Sequence, residues 1–205
     1  MRKIISILGS TGSIGQTALK IVDKKKNYFK IYLLSANKNL RLISQQIEKY
    51  KPNIFVVHNP EIFQKVKRKY KSKKIIILNN FKKFHTKKKI DITVSSIPGI
   101  IGLYPTILMT KYSRKILIAN KESIICGWSL INSTAKKNNT KVIPIDSEHF
   151  SILKLLESHS LNEIDKIFIT ASGGPFLNYN FKRLAKIKPK NALQHPKWKM
   201  GKKIT

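Results

Sequence analysis

In this 205-residue chain, ten acidic residues stand against forty-one lysines and arginines. Places where acids gather therefore carry weight. Asp146 and Glu148 flank Ser147 and follow the apolar run Val142-Ile143-Pro144-Ile145. Two carboxylates one residue apart at the carboxyl end of a strand, with a hydroxyl between them, could hold a hard divalent cation through oxygen ligands. The plainer alternative is a helix cap, with Asp146 or Ser147 capping a helix that starts near His149 and Glu148 in its first turn. A second constellation is Gly9-Ser10-Thr11-Gly12-Ser13-Ile14-Gly15, three glycines at the spacing of a dinucleotide-binding turn. Gly9 allows the tight turn, Gly12 lets backbone approach a pyrophosphate, and Gly15 lets helix and strand pack closely. The helix beyond it would offer free N–H groups and a positive dipole end to phosphates. A plain glycine turn is the alternative.

Two further clusters have the same placement. Ala119-Asn120-Lys121-Glu122-Ser123 follows an apolar run and sets an amide, a point charge and one of the rare acids side by side. Asn120 can bond in both directions and Lys121 can meet a phosphate or hydroxyl, or Asn120 is simply a helix cap with Glu122 in the first turn. Ser35-Ala36-Asn37-Lys38-Asn39 ends another run. In NAD-binding folds an acid about 20 residues past the glycines takes the ribose 2′-hydroxyl. Here Lys38 stands between two amides instead, which suits a 2′-phosphate and so NADPH over NADH. In a chain this rich in lysine, Lys38 could equally be one more solvated cation.

The elements that must position these residues alternate along the chain. Strands are expected at Lys3–Leu8, Lys30–Leu34, Asn53–Val57, Lys74–Leu78, Asp91–Ser95, Arg114–Ile118 and Lys141–Ile145. Helices are expected at Gln16–Asp23, Leu40–Tyr50, Pro60–Tyr70, Gly102–Lys111, Ser123–Lys137 and His149–Ser158, the last with Ile152, Leu155 and Leu156 inward. Such alternation implies βαβ units and a parallel sheet covered on both faces. All four clusters then fall on one edge, outside the carboxyl ends of the strands, where open α/β sheets bind ligands. Four unrelated caps would have no reason to share that edge. Further on, Asp165–Thr170 reads as a strand leading to Ala171-Ser172-Gly173-Gly174-Pro175-Phe176, a glycine pair that could form an anion-binding backbone nest or an ordinary turn. Phe181–Ala185 reads as a short helix. Trp198 lies in a lysine-rich stretch and fits a flap over a ligand.

The totals narrow the classes. Hydrophobic residues make up 41% of the chain, enough for a real core. One cysteine, Cys126, excludes an intrachain disulfide framework and fits a reducing compartment. The amino-terminal apolar run is too short for a signal peptide and no run approaches a membrane span, so a cytoplasmic protein is expected. The net charge of +31 could mean nucleic-acid binding. The lysines are scattered, however, and Ile and Asn are raised with them, which points to compositional drift.

Gly-Ser-Thr-Gly-Ser-Ile-Gly, Ala-Asn-Lys-Glu-Ser, Pro-Ile-Asp-Ser-Glu-His, Ser-Gly-Gly-Pro-Phe and His-Pro-Lys-Trp-Lys-Met-Gly-Lys-Lys-Ile occur in that order. From Lys3 to Thr205 the chain resembles the amino-terminal part of the 1-deoxy-D-xylulose-5-phosphate reductoisomerase family of the non-mevalonate isoprenoid pathway. The resemblance implies a cofactor site for NADPH lined by Thr11, Gly12, Ser13, Ile14, Asn37, Lys38, Asn39, Asn120, Glu122 and Gly201. It implies Asp146 and Glu148 as ligands of Mg²⁺ or Mn²⁺, and substrate contacts from Lys121, Ser147, Glu148, Ser172 and His195. Trp198 and Met200 match the family's mobile loop. The reaction implied is rearrangement of a ketose phosphate to an aldehyde, which NADPH reduces to 2-C-methyl-D-erythritol 4-phosphate. The family has Gly where this chain has Asn37, a side chain that crowds the cofactor ribose.

The expected fold is α/β: a Rossmann-like parallel sheet NADPH-binding domain over residues 1–146, followed over 147–205 by the start of an α+β catalytic domain. In the family, a third acidic metal ligand, further phosphate contacts and a helical C-terminal domain lie beyond the position matching Thr205. The expectation is therefore a fragment that binds NADPH without appreciable turnover and would be a homodimer when full length, with a sugar phosphate as partner and no specific nucleic acid or membrane. The rival readings are an NADPH-binding module without catalysis and a basic nucleic-acid binder that reuses the fold.

Overall fold

The computed structural model describes residues 2–170 and 173–194. Among these, seven strands form one sheet: β1 (Lys3–Leu8), β2 (Phe29–Ala36), β3 (Ile54–Val57), β4 (Ile76–Leu78), β5 (Ile90–Ser95), β6 (Ser113–Ile118) and β7 (Lys141–Pro144). Their spatial order is β4-β3-β2-β1-β5-β6-β7, and each neighbouring pair is parallel. The chain winds outward from β1 in one direction, then returns to start again at β5 on the other side. The switch point therefore lies between β1 and β5, the place outside the strand ends where open α/β sheets bind ligands.

The helices cover both faces, as parallel strands require. They are α1 (Ser13–Lys24), α2 (Leu40–Tyr50), α3 (Pro60–Lys69), α4 (Leu103–Tyr112), α5 (Lys121–Asn138) and α6 (Ser147–Leu156). Leu19 and Val22 of α1, Ile43 and Ile47 of α2 and Val66 of α3 pack on one face with Ile5, Ile7 and Phe55. Met109 of α4 and Ile131 of α5 pack on the other with Leu8, Val56 and Ile116. This is why β2 and β3 carry unbroken apolar runs rather than alternation.

β2 holds a local irregularity with a consequence for the site. Ile5 pairs with Ile31, but Ser6 pairs with Leu33. The extra residue is a bulge, and Tyr32 and Leu33 accordingly both belong to the same face. Beyond the bulge Leu8 pairs with Ser35, which brings Ser35 under the glycine-rich turn. Leu34 is fully buried on the opposite face, so Leu34→Ala would cost roughly 2–5 kcal/mol. At the outer edge, β7 begins with Lys141 and ends with Pro144, a charge and a missing N–H that blunt further pairing.

The chain divides into two compact units, Met1–Lys154 and Leu155–Thr205. In the second unit the strand expected at Asp165–Thr170 does not form; among the described residues no strand lies beyond Pro144. Ile167, Phe168 and Ile169 are 51%, 82% and 65% exposed. A β-prone run without a neighbour leaves its backbone groups to water and gains no ladder. This unit contains α7 (Phe181–Leu184) and α8 (Pro189–Ala192), and Phe176 meets Tyr179 edge to face at 5.5 Å. The inward set expected for α6 is also corrected. No residue of α6 is buried, and Leu155 is 71% exposed. Among the described residues no helix is long and apolar enough to cross a membrane.

Candidate functional site

The glycine-rich turn is shaped by backbone that no side chain could share. Gly9 has φ +81° and an added Cβ would lie 2.8 Å from the Ser96 carbonyl oxygen. At Gly15 a Cβ would run into the Gly9 carbonyl and lie 2.7 Å from Ser10 Cα. Helix α1 then starts at Ser13 on Gly12, which provides no side-chain cap, and no acid stands in its first turn. Its leading N–H groups and dipole therefore face outward uncompensated by the helix itself, as an anion site requires.

The turn is held from below by β2 and α2. The Gly9 and Ser10 N–H groups both donate to the Ser35 carbonyl, at 3.1 and 2.8 Å. Gln46 of α2 donates from Nε2 to the Ser10 carbonyl at 2.9 Å. Ser96, just past β5, donates from its backbone N–H to the Leu8 carbonyl at 3.0 Å. At the end of β2, Asn37, Lys38 and Asn39 are all exposed. Asn39 caps α2 by accepting from Leu42 N–H at 3.0 Å, so Lys38 projects from a turn fixed on both sides.

On the other side of the switch point, Asn120 is buried. Its Oδ1 accepts from Ser123 N–H at 2.9 Å, capping α5. Its Nδ2 donates to the carbonyls of Ile97 and of Gly99, the latter at 3.0 Å. Both amide protons are thus committed to the turn after β5. Lys121 is exposed at the first position of α5. A cation at the positive end of a helix is mildly disfavoured where it is exposed, and a bound anion there would offset this. Glu122 follows it, partly buried. Gly127 bends α5 at φ −145°, and the Leu103 side chain occupies the space a Cβ would need.

At the end of β7 the cap reading of Asp146 is realised. Its Oδ1 accepts from the His149 N–H at 3.1 Å and meets His149 Nδ1 at 2.6 Å. Burial pushes the Asp146 carboxyl up, but the bonds from the His149 N–H and ring outweigh it and hold the pKa below its ordinary value. Both bonds fall on one oxygen. Ser147 and Glu148 are exposed in the first turn of α6. For a hard cation, Asp146 and Glu148 are the right donor type, but two carboxylates fall short of the six or so oxygens it takes. Among the described residues no three His, Cys, Asp or Glu converge on one point.

The structure therefore brings Thr11–Ile14, Asn37–Asn39, Asn120–Glu122 and Asp146–Glu148 to the same edge of one sheet. Neighbouring strands lie about 4.8 Å apart, so the acids of β7 sit roughly 14 Å from the glycine turn, three strands away. In the second unit Gly173 and Gly174 have φ +73° and +67°, two successive left-handed positions rather than the right-then-left alternation of an anion-binding nest. Ser172, His195, Trp198, Met200 and Gly201 lie outside the described residues. Two hollows of about 450 and 710 Å³ occur elsewhere, one bounded by Arg114, Trp128, Lys136 and Lys141, the other by Leu40, Arg41, Lys65 and Lys69. Neither is lined by the glycine turn or the acids. Of the residues that hold the turn, Gln46 was not singled out from the sequence, where its trace is a polar residue on the apolar face of α2 beside Ile43 and Ile47.

A doubly wound parallel sheet with an uncapped glycine turn at its switch point defines a Rossmann-type dinucleotide-binding domain. The chain matches two family models: 1-deoxy-D-xylulose 5-phosphate reductoisomerase over residues 5–127, and the C-terminal domain of the same enzyme over residues 142–205. It belongs to the 1-deoxy-D-xylulose 5-phosphate reductoisomerase family. The enzyme of that name from Pelagibacter ubique (strain HTCC1062) is 46% identical over 99% of this chain and 53% of its own length. That from Clostridium novyi (strain NT) is 41% identical over 99% and 54%. The chain spans about half the length of the curated relatives it matches. A crystal structure of a DOX-P reductoisomerase in complex with NADPH, fosmidomycin and magnesium superposes with a TM-score of 0.84 at 29% identity, over 98% of this chain and 52% of that one. The Zymomonas mobilis enzyme in complex with NADPH gives 0.86 at 25% identity, over 96% and 52%.

Proposed function

We propose that this chain carries the NADPH site and part of the metal and substrate site of a 1-deoxy-D-xylulose 5-phosphate reductoisomerase. The whole enzyme would convert that ketose phosphate to 2-C-methyl-D-erythritol 4-phosphate. What supports this best is the order of clusters along the edge: Lys38, then the glycine turn, then Asn120–Glu122, then Asp146–Glu148. A dinucleotide laid along that order has its 2′-phosphate at Lys38 and its pyrophosphate on the N–H groups of α1. Its nicotinamide then points toward the strand ends that carry Lys121 and the two acids.

The division of labour follows the residues. Residues 1–146 bind and orient NADPH. Residues 147–205 begin the catalytic domain, contributing Ser147, Glu148, Ser172 and His195 toward the substrate. Lys121 would stabilise oxyanion charge, and His195 would orient a hydroxyl. Asp146 and Glu148 would hold Mg²⁺ or Mn²⁺, which when bound acidifies a substrate hydroxyl and polarises the adjacent carbonyl. With two carboxylates the hold is loose, so the 205-residue chain binds NADPH and turns over little. Homodimerisation of the whole enzyme and a cytoplasmic setting belong to the same reading.

The test is a titration of the purified chain with NADPH by fluorescence, followed by NADPH oxidation in the presence of 1-deoxy-D-xylulose 5-phosphate and Mn²⁺. Saturable binding with turnover near background is expected. Failure to bind NADPH would sink the cofactor reading; rates like those of a full-length family member would sink the claim of an incomplete metal site.

A further inference from the structure

Gln46 is 5% exposed and lies on the face of α2 that also buries Ile43 and Ile47. A buried primary amide is costly unless it is paired. Gln46 pairs twice with one residue: Nε2 donates to the Ser10 carbonyl at 2.9 Å, and Oε1 lies 2.6 Å from Ser10 Oγ. Ser10 is itself fully buried. Its N–H reaches the Ser35 carbonyl at 2.8 Å, and its hydroxyl lies 3.1 Å from the same oxygen. The hydroxyl has one proton for two acceptors, and the Gln46 oxygen is the nearer. The glycine-rich turn thus hangs from β2 and α2 as well as from its own strand and helix.

Helix α2 begins directly after Lys38 and Asn39, with Asn39 as its cap. From Leu40 to Gln46 is less than two turns, roughly 9 Å of stiff helix. One rigid element therefore touches the glycine turn at Gln46 and ends at the lysine. We infer that Gln46 is a positioning residue: it sets the spacing between the Lys38 end of the edge and the N–H groups of the glycine turn, so that both grip the phosphates of one dinucleotide at once. The inference rests on the cofactor reading above. Gln46 and Ser10 are both buried, so their effect runs through the turn rather than through contact with the ligand. A methionine at position 46 would fill the same space but leave the Ser10 carbonyl and hydroxyl without this partner.

The experiment compares Gln46→Met with the parent chain, well below its melting temperature. Two probes are used: NADP⁺, which needs both ends, and adenosine 2′-monophosphate, which lacks the pyrophosphate. NADP⁺ binding is expected to weaken about tenfold or more, while adenosine 2′-monophosphate stays within about twofold. Packing alone would lower the melting temperature and leave both affinities in place. Ser10→Ala removes the hydroxyl, keeps the carbonyl, and is expected to give the same split at several-fold; it decides the matter if Gln46→Met does not fold. NADP⁺ affinity unchanged in the folded variants, or both ligands weakened alike, overturns the proposal. A parent chain that does not bind NADP⁺ overturns the cofactor reading and this inference together, before any variant is made.

Discussion

Asn120 Nδ2 donates to the Gly99 carbonyl at 3.0 Å, which ties the start of α5 to the turn after β5. The same nitrogen reaches the Ile97 carbonyl, and Oδ1 caps α5. Gly102 is part of this joint, since a Cβ there would collide with the Asn120 amide and lie 2.5 Å from the Ile97 carbonyl oxygen. The latch positions Lys121 and Glu122 against the switch point. Asn120→Ala removes the cap and strands two carbonyls, so stability should fall by about 2–4 kcal/mol. The midpoint of urea unfolding, at unchanged m-value, measures this.

Gly15 lets α1 pack directly on the turn, where an added Cβ would run into the Gly9 carbonyl. Gly15→Ala forces the Gly9–Ser10 backbone away, and overpacking of this kind costs about 1–3 kcal/mol. On the proposed reading the displaced backbone carries the pyrophosphate, so NADPH affinity should drop about tenfold or more. Calorimetric titration of a variant shown to be folded by circular dichroism checks it; unchanged affinity would mean that the turn does not carry the pyrophosphate.

Lys38 is expected to discriminate cofactors. Lys38→Ala should weaken NADPH by about 10–100-fold, the value of a charge-assisted bond to phosphate, and leave NADH nearly unaffected. Parallel titrations with the two nucleotides give the ratio directly. Equal losses would assign the lysine to general charge rather than to the 2′-phosphate. If the Asn37 side chain crowds the ribose, as the resemblance implies, Asn37→Gly should tighten NADPH.

Asp146 gives a pH signature. Its folded pKa is depressed, with burial opposing and the His149 bonds prevailing. The stability it contributes is complete above the ordinary aspartate value, about 3.9, and is lost as pH falls through the lower folded value. Asp146→Asn should therefore be less stable than the parent at neutral pH, and the gap should close at the acid end. Unfolding midpoints across pH 3 to 7, a range spanning the reference value of about 3.9, test the sign. A gap that widens toward acid would contradict it.

The two carboxylates should also be visible through the metal. Mn²⁺ binding, followed by electron paramagnetic resonance, is expected to be weak in the parent chain and absent in the Asp146→Asn, Glu148→Gln double variant. Chelation of the metal should leave NADPH binding intact, because the glycine turn and the acids stand roughly 14 Å apart on the edge.

Much of this was legible along the chain because it is local. Alternating runs separated by glycine and polar turns specify β1 to β7 and α1 to α5, and parallel connection then sends Gly12, Lys38, Lys121 and Asp146 to a common edge. The apolar run at Ile167–Ile169 misled for the same reason: residue type encodes β propensity, but a strand exists only where a neighbour pairs with it. What the tertiary structure alone decided are the long-range polar bonds. Gln46 meets Ser10 across thirty-six positions and Asn120 meets Ile97 across twenty-three, and the bulge at Tyr32 chooses which residue of β2 lies beneath the turn. Such contacts depend on where packed elements bring their side chains, and no spacing within a single segment records that.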